Sequence, residues 1–180
     1  MHYGQFVKNL FKSGKEIAET MTPEKLTRLD WSCGAIMLEC NFLDRLKKWA
    51  IYNDASKASL TNPDPAYENF KLTPEKANLL HAAIGLVTEA GELLEAIHGH
   101  VFDDKPLDIE NVVEELGDQE FYLEAMRQAA SWPDFEIDRD LVIAKNIEKL
   151  QKRYAKGYTD QAAKDRADKQ TETGDEQKGN

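Results

Sequence analysis

The sequence predicts an all-α protein, with helices of roughly 15–28 residues packed as a bundle. Three observations carry this. Apolar residues recur at helical spacing, as at Leu26, Leu29, Cys33, Ile36, Met37, Cys40, Leu43 and Trp49. Two stretches open with the same start signal, Thr22-Pro23-Glu24 and Thr73-Pro74-Glu75. Each combines a hydroxyl cap, a proline where a missing N–H costs nothing, and an acid near the positive helix end. No stretch shows the alternation of a half-buried strand.

In chain order, residues 4–20 are weakly helical, with Phe6, Leu10, Phe11 and Ile17 spaced for one face. The next helix covers 24–51, with Gly34 a mild weakness. Residues 53–72 hold two prolines and little pattern, which predicts a loop. A helix follows from Thr73-Pro74 to about Gly99; the recurring TPEK marks two similar caps, since the sequences beyond it diverge. HGHVFDDKP turns the chain, Leu107–Ala130 forms a helix, SWPDFEID breaks it, and 138–154 forms another. The tail beyond Ala167 lacks apolar residues and is expected to be disordered. The organisation expected is a helical extension and loop over 1–72, a core over 73–168, and a polar tail over 169–180.

A chain of 180 residues and 20.5 kDa fits one domain with a real core. The net charge of −10 argues against nucleic acid as a partner, which calls for a basic patch. It is compatible with a nucleotide, because a divalent ion bridges acidic protein and acidic phosphate. No apolar run approaches the ~20 residues that span a bilayer, so no membrane role is expected. The N-terminus lacks the apolar stretch of a signal peptide, which predicts a cytoplasmic location. Cys33 and Cys40 lie roughly 10 Å apart along a helix axis, too far for a disulfide, and read as small core residues.

Residues 76–130 carry the chemistry. Glu89 and Glu92 lie three apart on one predicted helix, Glu115 and Asp118 three apart on the next. Residues at i and i+3 share a face, and the short connection makes the two helices antiparallel neighbours. Four carboxylates then converge on one seam, a hard oxygen donor set suited to Mg²⁺, with Mn²⁺ a substitute. Without a cation they would repel and some would protonate. Gly91 and Gly117 sit inside the two pairs, each costing about 1 kcal/mol against alanine in a helix, so close approach of a backbone or ligand is expected at both. Leu86, Leu93, Ile97, Val112, Leu116 and Leu123 are expected to pack around the site. Against this stands a plain solvated acidic face, since 33 acids make such pairs common. Glu95-Ala-Ile-His98 has the spacing of a di-iron bundle ligand pair, but no second such pair exists. His98 and His100 therefore read as surface residues.

LHAAIGLVTEAGELLEAI followed by NVVEELGDQEFYLEAM resembles the MazG-like, all-α nucleoside triphosphate pyrophosphohydrolases, especially the small single-domain versions of bacteriophages. The family motif is EExxE followed by ExxD; Thr88 replaces the leading glutamate, and 22 residues separate Glu92 from Glu115. The resemblance implies an antiparallel helical bundle of the all-α NTP pyrophosphatase type. It also implies hydrolysis between the α- and β-phosphates, giving a nucleoside monophosphate and pyrophosphate. Glu89, Glu92, Glu115 and Asp118 would coordinate Mg²⁺, which neutralises phosphate and lowers the pKa of the attacking water. A first-helix glutamate, Glu92 before Glu89, would take that water's proton. Tyr122 would hold the nucleotide, or else pack in the core. Asn146, Lys149, Arg153 and Tyr154 match the pattern of the following helix, where the cations suit phosphate oxygens; a plain basic face is the alternative. Arg166 falls in a segment similar to the phage-type ending, although Asp165 stands where relatives often carry asparagine. Phage-type relatives imply a purine deoxynucleotide (dGTP or dATP), with dUTP or dCTP second, and a host-cytoplasmic location if the chain is phage-encoded. A homodimer or homotetramer is implied. Trp31 and Trp49 stand as base-stacking or packing residues. The reading from a different class is a non-catalytic helical interaction protein.

Overall fold

The computed structural model describes residues 3–57 and 71–169. The helices are α1 (Tyr3–Leu10), α2 (Gly14–Thr20), α3 (Pro23–Ala50), α4 (Pro74–Phe102), α5 (Ile109–Ala130), α6 (Arg139–Arg153) and α7 (Asp160–Asp165). Single 3₁₀ turns cover Ala55–Lys57 and Ala167–Lys169. No strand occurs among the described residues; Trp132 and Phe135 form an isolated backbone bridge (2.9 and 3.0 Å). The all-α expectation holds. Most of the expected loop (58–70) and the tail from 170 on lie outside the described residues.

Both TPE starts act as helix caps. Thr22 Oγ1 accepts from the Lys25 amide at 3.3 Å and Thr73 Oγ1 from the Lys76 amide at 3.4 Å. The weak pattern over 4–20 divides into two helices because Ser13 and Glu16 make a capping box: the Glu16 amide donates to Ser13 Oγ, and the Ser13 amide to Glu16 Oε2. Asp108 caps α5, whose Asn111 amide reaches Oδ1 at 3.1 Å, so that helix starts at Ile109 rather than at Leu107. Asp138 caps α6 in the same way, at 2.7 Å. Helix α4 runs through Gly99 to Phe102.

The chain divides into two compact units, Thr22–Glu136 and a second made of Met1–Met21 with Ile137–Asn180. In Thr22–Glu136, α4 packs against both α3 and α5. Its glycines explain how closely. A Cβ on Gly91 would collide with Cys40 of α3, lying 2.8 Å from Sγ, and one on Gly85 would enter the Tyr122 ring of α5. Gly117 differs: a Cβ there meets nothing within 4 Å. The expected close approach is present at the first pair's glycine and not at the second's.

The buried set of this unit is notable for its polarity. Cys40, Ala82 and Tyr122 are buried, and so are Lys47, Thr88, Glu89 and Glu115. Leu86, Leu93 and Val112 are half-buried as expected for packing around these groups. Ile97, Leu116 and Leu123 are exposed instead, and the last two continue a stripe with Ile109 and Val113 along α5. Both free cysteines lie on α3, Cys40 buried and Cys33 half-buried. Trp31 and Trp49 are exposed, Trp31 at 73%. His98 is not a surface residue: its side chain is 14% exposed, its Nε2 lies 2.7 Å from Asp30 Oδ1, and its ring tilts against Phe102.

In the second unit, Phe6 is buried and Tyr3 donates its hydroxyl to Asn146 Oδ1 at 3.2 Å. Lys12 of this unit pairs with Asp160 at 2.6 Å. Helix α6 packs on the turn Ala167–Lys169. Among the described residues no helix is long and apolar enough to cross a membrane.

Candidate metal centre

Helical spacing places Glu89 and Glu92 on one face of α4, and Glu115 on the face of α5 that packs against it. One carboxylate oxygen from each of the three lies within 4.8 Å of the others. Asp118 is exposed on α5, outside this group of three.

Two of these acids are perturbed by burial and by their neighbours' charge. Burial, then the charge of Glu89 and of Asp44, holds the Glu92 carboxyl above its ordinary pKa. Burial, then Glu92 and Glu89, does the same for Glu115. Glu115 is 4% exposed; its Oε1 accepts from Asn111 Nδ2 at 3.1 Å, while Oε2 is buried with no hydrogen-bond partner. A buried acceptor left without a donor costs roughly 1–3 kcal/mol. A cation among these oxygens removes that cost.

The acid pattern alone does not show that the site also holds a positive charge. Lys47 of α3 is 5% exposed and points its ammonium at Asp44 Oδ1 (3.1 Å), Glu89 Oε1 (3.2 Å) and Thr88 Oγ1 (2.9 Å). Burial pulls its pKa down, but its bonds to Asp44 and Glu89 outweigh this and leave it raised. Asp44, pushed up by burial, ends lowered through Lys48 and Lys47. A signal existed. Leu26, Cys33, Cys40 and Lys47 recur every seven residues, so Lys47 stands on the stripe that packs against α4.

Tyr122 is buried one turn beyond Asp118. Its ring lies over Gly85, 5.5 Å from the Lys47 ammonium, and edge-on to His81. Its hydroxyl is 3.3 Å from that of Tyr52, which also reaches His81 Nε2 at 3.0 Å. Burial, and then the bond with Tyr52, pushes the Tyr122 pKa up to about 12, so it is a neutral hydroxyl at physiological pH. Beside it opens a cavity of about 320 Å³ lined by Asn78, His81, Ala82, Phe121 and Gln128.

The remaining expected site residues belong to the second unit. Asn146 accepts from Tyr3, and Lys149 is exposed. Arg153 is forked onto Asp168 (2.5 and 2.8 Å), and its guanidinium lies 5.9 Å from the Tyr154 ring centre. The Arg153 bond is the main reason the Asp168 carboxyl is held at about 2. Tyr154 packs its ring near that of Tyr158, 5.5 Å between centres. Arg166 closes α7 with a left-handed backbone (φ 49°).

Residues 78–158, from the first turns of α4 to just beyond α6, match the family model of the MazG nucleotide pyrophosphohydrolase domain. Those residues are a MazG domain. Neither the curated proteins nor the solved structures gave a match to the chain. The MazG domain is a nucleotide pyrophosphohydrolase, a hydrolase of acid anhydrides, and the family depends on a divalent metal. The donors here fit such an ion: three converging carboxylates, one with a buried oxygen still lacking a partner.

Proposed function

We propose that this chain is a Mg²⁺-dependent pyrophosphohydrolase of nucleoside triphosphates, releasing the monophosphate and pyrophosphate. The observation that carries the metal reading is the convergence of Glu89, Glu92 and Glu115 within 4.8 Å, with Glu115 Oε2 unpartnered. Hard carboxylate oxygens favour Mg²⁺ or Mn²⁺ over softer ions. Asp118, at the exposed edge three residues from Glu115, is the fourth ligand of this reading. A divalent ion bound there neutralises phosphate charge and acidifies water.

The chain's own groups divide the remaining work. Glu92, whose carboxyl is raised by burial and by Glu89, takes the proton of the attacking water in this reading. Glu89 is held by Lys47 and serves as ligand, with a lesser claim as base. Tyr122 offers its face and a neutral hydroxyl to the nucleoside, next to a cavity of about 320 Å³. Asn146, Lys149, Arg153, Tyr154 and Arg166 are proposed to hold phosphate; Lys149 is exposed for it, whereas Arg153 must exchange Asp168 for a phosphate oxygen. The similarity to phage-type enzymes favours a purine deoxynucleotide, with dUTP or dCTP as the alternative.

The exposed stripe Ile109, Val113, Leu116 and Leu123 on α5 supports a homodimer or homotetramer. Pyrophosphate release from a panel of dNTPs with Mg²⁺ tests the reaction and the base together. Turnover is expected on at least one nucleotide, highest on dGTP or dATP. If wild type turns over none of them faster than a Glu92→Ala, Asp118→Ala double variant, the enzymatic reading is wrong and a non-catalytic helical protein remains.

A further inference from the structure

The geometry points to Lys47 as a positioning residue of the metal centre. Braced by Asp44 and Thr88, it holds the Glu89 carboxylate in the orientation that brings it to Glu92 and Glu115. This rests on the metal reading above. It adds a residue from α3, outside the matched stretch 78–158.

An ammonium has three N–H donors. Lys47 meets three acceptors, Asp44 Oδ1, Glu89 Oε1 and Thr88 Oγ1, at 2.9–3.2 Å. A lysine 5% exposed is tolerated only when paired in this way. Thr88 is 1% exposed and stands where the resembling motif has its leading glutamate. Its hydroxyl accepts from Lys47 and lies 3.0 Å from the Gly85 carbonyl and 3.2 Å from Glu89 Oε1. A glutamate side chain left free rotates about three bonds, and fixing one in a single rotamer costs conformational entropy. Lys47 and Thr88 meet that cost before any cation arrives, because they already fix Oε1.

The competing role for Lys47 is a simple counter-charge, and the two roles predict opposite signs. A counter-charge opposes a cation, so its removal makes the cluster more negative and binding tighter. A positioning residue orients a ligand, so its removal makes binding weaker. Partners that orient a metal ligand are typically worth about 10–100-fold in metal affinity.

The test is a Mn²⁺ titration of the full chain without nucleotide, followed by the EPR signal of free Mn²⁺. Lys47→Met is expected to weaken Mn²⁺ binding roughly 10–100-fold. Thr88→Val, which keeps the charge and most of the volume, is expected to weaken it less, with a lower metal-free melting temperature because a buried Lys47 N–H loses its acceptor. Raising Mn²⁺ is expected to restore turnover in Lys47→Met. Unchanged or tighter binding in Lys47→Met overturns the proposal, as does a loss of turnover that excess Mn²⁺ does not restore. Should Lys47→Met fail to fold, Thr88→Val alone decides. If wild type takes up no Mn²⁺, the metal reading falls and Lys47's role with it. If wild type and Lys47→Met bind alike, only the role of Lys47 falls.

Discussion

Gly91 and Gly117 occupy matching places between paired acids, yet replacing each with alanine should have opposite consequences. In both, alanine gains about 1 kcal/mol of helix propensity. At Gly117 nothing lies within 4 Å of the new Cβ, so the gain stands and the protein is stabilised. At Gly91 the new methyl lies 2.8 Å from Cys40 Sγ and closer still to its Cβ, against an ordinary contact of about 3.5–4.0 Å. Cys40 Cβ is fixed to its backbone and no rotamer change moves it, so relief requires the α3 backbone itself to move. Such overpacking costs about 1–3 kcal/mol. Because the propensity term is common to both variants, their difference isolates that cost. Urea unfolding of the metal-free protein, followed by circular dichroism, should place Gly117→Ala above wild type and Gly91→Ala about 1–3 kcal/mol below Gly117→Ala. Gly91 also separates Glu89 from Glu92, so its variant should bind Mn²⁺ more weakly. Equal stability of the two variants would refute the close approach of α3 and α4 at Cys40.

The acidic cluster should set the pH dependence. Glu92 and Glu115 are raised in the folded state, which therefore keeps protons that the unfolded chain has lost above about pH 4.3. Metal-free stability from this source falls as pH rises towards neutrality; Asp44, held low, acts the other way only at more acid pH. The melting temperature gained on adding Mn²⁺ should thus be larger near about pH 7.5 than near about pH 5, and the reverse order would contradict the cluster's electrostatics. The α5 stripe predicts an assembly in solution: light scattering should give at least twice 20.5 kDa, and a mass near 20.5 kDa would exclude the oligomer.

Local rules carried much of the fold. The TPE caps placed the starts of α3 and α4, because a cap depends on a few adjacent residues. The Ser13–Glu16 box and the Asp108 cap were equally local, and both were written in the sequence. The acid pairs were visible as a pattern of i and i+3 spacing. Spacing assigned Asp118 the same standing as Glu115, however, and burial separates them. The apolar positions Leu116 and Leu123 show the same limit, since periodicity reports a face and not what covers it.

By itself the sequence determined the all-α class, the starts of α3 and α4, and the family likeness that the match over residues 78–158 bears out. These follow from interactions within a turn or two of helix. Only the tertiary structure decided that Lys47, 42 residues before Glu89, supplies the charge inside the cluster. It also decided that Gly85 receives Tyr122, that Gly91 receives Cys40, and that Gly117 receives nothing. The physical reason is that contacts between α3, α4 and α5 depend on how helix faces meet in space, a property no single helix's spacing contains.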